Sequence, residues 1–178
     1  MTDLRSFLRP LYQDLDGVSR FDEIERVATI ARRLHTQSSD AEARAFELLL
    51  LFHGLGRWLE KVGNLSRAAL TTRIPEAELR AAAASIRQLD DPSTDAQRAV
   101  AAALLIDRAG VRGFAEQLSR SRREGNSVHD VVRNALADAV VPIWISNTAR
   151  AWLTMRHEAR REMCRRILAE LALEDLGG

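Results

Sequence analysis

The sequence predicts an all-α protein, an irregular bundle of about seven or eight helices. Three observations carry that expectation. Apolar residues recur at spacings of three and four along almost the whole chain; alanine, leucine and arginine are abundant while valine, isoleucine and threonine never mass into strand-like runs; and short polar breaks such as VGNLS, DDPSTD and EGNS separate the periodic stretches. At 178 residues, 46% hydrophobic and 29% charged, the chain has the size of one domain with one core, and a single domain over residues 1–178 is expected.

The elements follow in order. Asp3 caps a short first helix that runs to Leu15. Phe21, Ile24, Val27, Ala31 and Leu34 form one stripe of a second, with Ser19 and Asp22 as a capping pair. Ser39, with Glu42 three residues on, is a capping box that opens a third helix reaching about Val62. Its centre is apolar nearly all round, the mark of a helix surrounded by others, so His53 is expected in mid-core. VGNLS breaks the chain, and Pro75 suits the first turn of a helix through Leu89. AQRAVAAALLIDRAG follows, its alanines permitting close helix contact, then helices from Gly113 to about Arg123 and from Val128 to Val141. The last helix is capped near Asn147 or Thr148 and spans roughly seven turns, with Leu153, Arg156, Met163, Ile167 and Leu171 on its inner stripe.

Charge and cysteine content narrow the function. The net charge is +1 and Lys61 is the only lysine, an arginine bias typical of a GC-rich genome, and nothing in the overall field demands nucleic acid or an anionic membrane. Cys164 is the sole cysteine, so neither an internal disulfide nor a cysteine zinc cage can form, and a cytoplasmic location fits. The start, MTDLRSFLRPLYQD, lacks the apolar region of a signal peptide, and the longest apolar run, Leu48 to Phe52, is too short to cross a bilayer. Two arginine clusters, Arg120, Arg122 and Arg123, then Arg156, Arg160, Arg161, Arg165 and Arg166, are interleaved with Glu116, Glu124, Glu158 and Glu162 and have no aromatic stacking platform; they read as solvated faces laced with ion pairs. Trp58, Trp144 and Trp152 read as core or interface anchors.

Catalytic signatures are sparse. His35, His53, His129 and His157 lack the spacing that sets two imidazoles on one helical face, and there is no Gly-rich phosphate loop and no G-x-S-x-G elbow. Gly54 is odd within a helix, where glycine costs about 1 kcal/mol relative to alanine. It either lets a neighbouring helix or a ligand approach closely or marks drift at a disused site.

The order of segments resembles a known family. FDEIERV keeps Arg26 and Val27, LFHGLGRW offers Phe52, His53, Leu55 and Gly56, and IRQLDDPSTDAQRAVAAALLIDRAGVRGF places Ile86, Pro92, Thr94, Asp107, Gly110 and Gly113. These stretches, and the closing NTARAWLTMRHEARREMCRRILAELALE, are similar to the HD-domain metal-dependent phosphohydrolases of the small bacterial branch, from about Ser19 to Glu170. The resemblance implies an irregular helical bundle with a metal-dependent phosphoesterase site. It is carried by scaffold positions: Glu23 stands where the family has its first histidine, Gly54 where it has the aspartate after His53, Gln88 or Leu89 where it has a later histidine, and Ala102 and Leu104 where it has two further acids.

Of the metal positions that the resemblance supplies, His53 alone remains, with Glu23 a conceivable oxygen ligand. The expectation is therefore a catalytically degenerate protein that acts by binding, with no metal or other cofactor. Its partner is a protein chain, a second copy, or a small phosphorylated ligand held at His53, Gly54 and Arg57. The alternative is a divergent phosphohydrolase whose catalytic residues are Glu23, His53 and Asp107, holding a divalent Mn, Ni, Fe or Mg ion. Asp107 reads more simply as a local ion pair with Arg108 or Arg112, and Glu23 as a surface pair with Arg26.

Overall fold

A computed structural model describes residues 4–13, 21–36, 39–137 and 141–174. The structure is 81% helical, with no strand among the described residues, as the helical periodicity and the scattered β-branched residues require. Helix α1 is Leu4–Gln13 and α2 is Phe21–Leu34; the expected cap at Asp3, the end at Leu15 and the cap at Ser19 lie outside the described residues. In α2 the stripe turns inward as expected, with Phe21, Ile24, Val27, Ala28 and Ala31 buried. Helix α3, Asp40–Phe52, starts at Ser39, whose extended backbone lets its Oγ accept from the Glu42 N–H at 3.3 Å. Every residue from Leu48 to Phe52 is buried, so this is the surrounded helix that its composition implies.

The third helix does not reach Val62 in one piece. It gives way to a 3-10 turn at His53–Leu55 and restarts as α4, Gly56–Leu59. Two glycines in HGLG weaken the helix there, and each is held in close contact by another helix, as described below. Beyond it, α5 (Asn64–Thr72) stands where only a chain break was expected. Leu65, Ala68 and Ala69 recur at helical spacing and seat it on the core, while the Thr71 and Thr72 hydroxyls donate to carbonyls one turn back.

Helix α6 is Glu76–Arg87, with Pro75 as its extended cap instead of a first-turn residue (φ −54°, ψ 134°). Next come α7 (Asp95–Ala109), α8 (Val111–Arg123), α9 (Val128–Ala135) and α10 (Asn147–Glu174). Helix α8 begins two residues before the expected Gly113. Helix α9 stops short of Val141, which is non-helical in keeping with the proline that follows it. On α10 Leu153 is buried, but Arg156, expected on the inner stripe, is exposed. The Arg120 side chain lies outside the described residues.

The chain divides into two compact units, Met1–Ala103 and Leu104–Gly178, and the boundary falls inside α7. In the first unit α3 packs on α2 and α6, α5 packs on α6, and α1 packs on α2 and α5. Leu8, Tyr12, Phe21, Ile24, Leu51, Phe52, Leu55 and Leu79 close its core. Arginine ties these helices at the surface: Arg5 to Glu25, Arg32 to Glu47, Arg44 to Glu78 and Arg87 to Glu60 link α1 to α2, α2 to α3, α3 to α6 and α6 to α4. All are partly solvated, so each contributes at most about 1 kcal/mol. In the second unit α8, α9 and α10 pack together around Phe114, Val131, Val132, Ala135 and Cys164. No helix among the described residues is long and apolar enough to cross a membrane.

Candidate functional site

The site forms where α3 ends. His53 is half-buried at the turn, not in mid-core as expected, because the helix breaks at this residue and lifts the ring toward the surface. Its Nδ1 lies 2.7 Å from the Leu50 carbonyl. A carbonyl can only accept, so Nδ1 carries a proton and donates it to that carbonyl. Arg57, on α4, is exposed.

Gly54 does not lie in a regular helix, so the helix-interior penalty expected for it does not apply. Its role is steric. A Cβ placed on Gly54 would meet Tyr12 Cε1 at 2.7 Å, Tyr12 Oη at 3.4 Å and Ile24 Cδ1 at 3.5 Å. The space that a side chain at position 54 would need is taken by the ring of Tyr12 from α1. Gly56 plays the same part for α6, since a Cβ there would stand 3.0 Å from Ile86 Cγ2. His-Gly-Leu-Gly is thus a junction at which side chains from α1, α2 and α6 close on the chain, and Leu55 within it is buried.

Tyr12 is 1% exposed, and its hydroxyl donates to the Leu51 carbonyl at 2.7 Å. Burial pushes the phenol far above its ordinary value; the Gly54 backbone N–H, which favours the ionised form, opposes that shift, and the charge of Glu23 adds to it. Glu23, half-buried on α2, is therefore a neighbour of the phenol. So Tyr12 gathers Gly54, Glu23 and the end of α3 into one place, with a neutral hydroxyl at its centre.

The remaining positions are spent elsewhere. Gln88, on the C-terminal side of α6, receives a 2.8 Å hydrogen bond from Gln97 Nε2, which also donates to the Ser85 carbonyl at 3.4 Å. Gln97 Oε1 accepts from the Ser93 N–H and hydroxyl and from the Thr94 N–H, while the Thr94 hydroxyl accepts from the Gln97 N–H. This is a Thr-x-x-Gln capping box for α7, extended to tie α6 to it. Ala102 is buried and Leu104 half-buried. Asp107 is buried and belongs to the second unit, and the nearby Arg112 pairs with Glu116 at 3.7 Å. Among the described residues no three His, Cys, Asp or Glu side chains form a group that could hold a metal ion. The three tryptophans are half-buried, with Trp58 meeting Phe7 edge-on at 6.3 Å.

No family model, no curated protein and no solved structure matches this chain. Two features went unread in the sequence. Tyr12 was visible only as a residue one turn beyond Leu8, with nothing to aim it at position 54. DDPSTD reads as a loop and cap before α7, and the structure places that cap at Thr94; its reciprocal partner Gln97 is legible by spacing but was not read.

Proposed function

We propose that this chain is a catalytically degenerate, HD-domain-like protein of the bacterial cytoplasm that acts by binding a protein partner. One observation carries the reading: the Tyr12 ring fills the space over Gly54, the position where the resemblance places a metal-binding aspartate. Phosphoester hydrolysis of that kind needs a divalent ion to polarise the phosphoryl group and to acidify a bound water. An uncharged, hydrogen-bonded phenol in that place supplies neither a ligand charge nor an open coordination position. Because the Tyr12 ring also stands against Gly54, a small phosphorylated ligand at His53, Gly54 and Arg57 is less well supported than a protein surface.

Elemental analysis for manganese, nickel, iron and zinc on untagged protein, grown with metal supplementation beside a His53→Ala control, tests the reading. The expected result is no stoichiometric metal in either sample and no hydrolysis of generic phosphate esters. Metal near one equivalent in the wild type, lost in His53→Ala, would overturn the proposal in favour of a phosphohydrolase built on His53, Glu23 and Asp107.

A further inference from the structure

The core-facing stripe of α10 has a polar interruption. Ala149, Leu153 and Cys164 are buried, and the helical spacing from Leu153 to Cys164 passes through His157 and Arg160. Both are half-buried. Arg160 Nη2 lies 2.8 Å from His157 Nδ1; a guanidinium only donates, so that nitrogen accepts and the imidazole is neutral with its proton on Nε2. The Nε–H of Arg160 is buried and has no hydrogen-bond partner. A buried donor of this kind, on a permanently charged group, calls for a missing acceptor.

The protein supplies no carboxylate to Arg160 among the described residues. Glu162, half a turn on, takes Arg165 and Arg166 at 3.7 and 3.0 Å. One turn before Arg160, Arg156 lies over Gly110, with Nη1 3.2 Å and Cδ 3.4 Å from the point where a Cβ on that glycine would stand; a larger residue at 110 would displace it. Burial, opposed by Cys164 and joined by the charge of Arg161, pulls the Arg160 guanidinium below its ordinary value, the direction of a cation held without its counter-charge.

We propose that Arg160 and Arg156, one turn apart on α10, form a binding site for a phosphate dianion, with Arg160 oriented by His157. Two guanidiniums match the charge of a phosphate monoester or of inorganic phosphate, and guanidinium N–H groups donate charge-assisted hydrogen bonds to phosphoryl oxygens. The site lies wholly within the second unit and stands apart from the fate of the HD-like pocket.

Thermal unfolding of the full chain in inorganic phosphate, and separately in glycerol phosphate, each against chloride at matched ionic strength, tests it. Saturable stabilisation is expected in phosphate, weakened at least about tenfold in affinity in both Arg160→Met and Arg156→Gln. Response to both compounds marks an ester as the ligand and response to phosphate alone marks the free ion; either upholds the site. Equal melting in phosphate and chloride overturns it, as does an Arg156→Gln response equal to that of the wild type. Arg156 is exposed, so that variant decides the matter even where Arg160→Met fails to fold.

Discussion

Replacing Gly54 by alanine adds one methyl group, and the structure fixes where it goes. Its Cβ would stand 2.7 Å from Tyr12 Cε1, well inside carbon–carbon contact distance. The tyrosine ring cannot swing clear, because it is 1% exposed and anchored by a 2.7 Å hydrogen bond to Leu51. Overpacking a fixed core group costs about 1–3 kcal/mol. Against this stands the lower entropy of the unfolded alanine chain, about 0.4–1 kcal/mol, available because Gly54 is not in the left-handed region. The net expectation is a loss of about 1–2 kcal/mol. In a Tyr12→Leu background the clash vanishes and the same substitution becomes neutral or stabilising by about 0.5 kcal/mol, so the cycle should give a coupling of about 2 kcal/mol. Urea unfolding, read by hydrogen exchange at the Leu50 and Leu51 amides, reports on the unit that carries the change. A Gly54→Ala protein as stable as the wild type, with no coupling to Tyr12, would refute the steric account.

Tyr12 is the only tyrosine, so its ionisation can be followed directly by tyrosinate absorbance. Its folded pKa lies above the unfolded value; the folded chain therefore keeps its proton above about pH 10 while the unfolded chain releases it, and stability falls by about 1.4 kcal/mol per pH unit over that alkaline range. Absorbance should appear only together with unfolding, and gradual ionisation of the folded protein would contradict the burial. Gln97→Leu should cost about 2–4 kcal/mol in urea, since it strands the N–H groups of Ser93 and Thr94, from both of which the buried Gln97 Oε1 accepts, at a position only 2% exposed. A loss near that of an ordinary cap, about 1 kcal/mol, would mean that water replaces the amide.

What the sequence made legible was local or strongly periodic. The Ser39 cap depends on residues within one turn, and the burial of Leu48 to Phe52 follows from an apolar run with no polar face to turn outward. Arg5, Arg32, Arg44 and Arg87 carried no signal in the sequence: they are interhelical ties whose glutamate partners lie far along the chain, a pairing that no spacing rule announces. The break at His53 was missed for a related reason. Propensity alone leaves a helix free to run through two glycines, and what decides the matter is the arrival of Tyr12 and Ile86 from α1 and α6. Helix α5 escaped because a glycine and an asparagine read as a stop, although the asparagine is the first residue of the next helix and its side chain donates to the Trp58 carbonyl at 2.8 Å.

The same tertiary contacts bear on how position 54 should behave under selection or design. If the HD-like reading holds, restoring aspartate at 54 cannot by itself restore a metal site, because the carboxylate would have to enter space already taken by the Tyr12 ring. Removing Tyr12 alone would leave the carbonyl of the buried Leu51 without the donor that the hydroxyl supplies, a cost of about 1–3 kcal/mol for a buried group left unpaired. Each single step is therefore destabilising, and only the two together are compatible. A glycine and a tyrosine so coupled form one steric unit, and that accounts for a lone histidine followed by glycine at the end of a solid apolar helix better than drift at an empty position does.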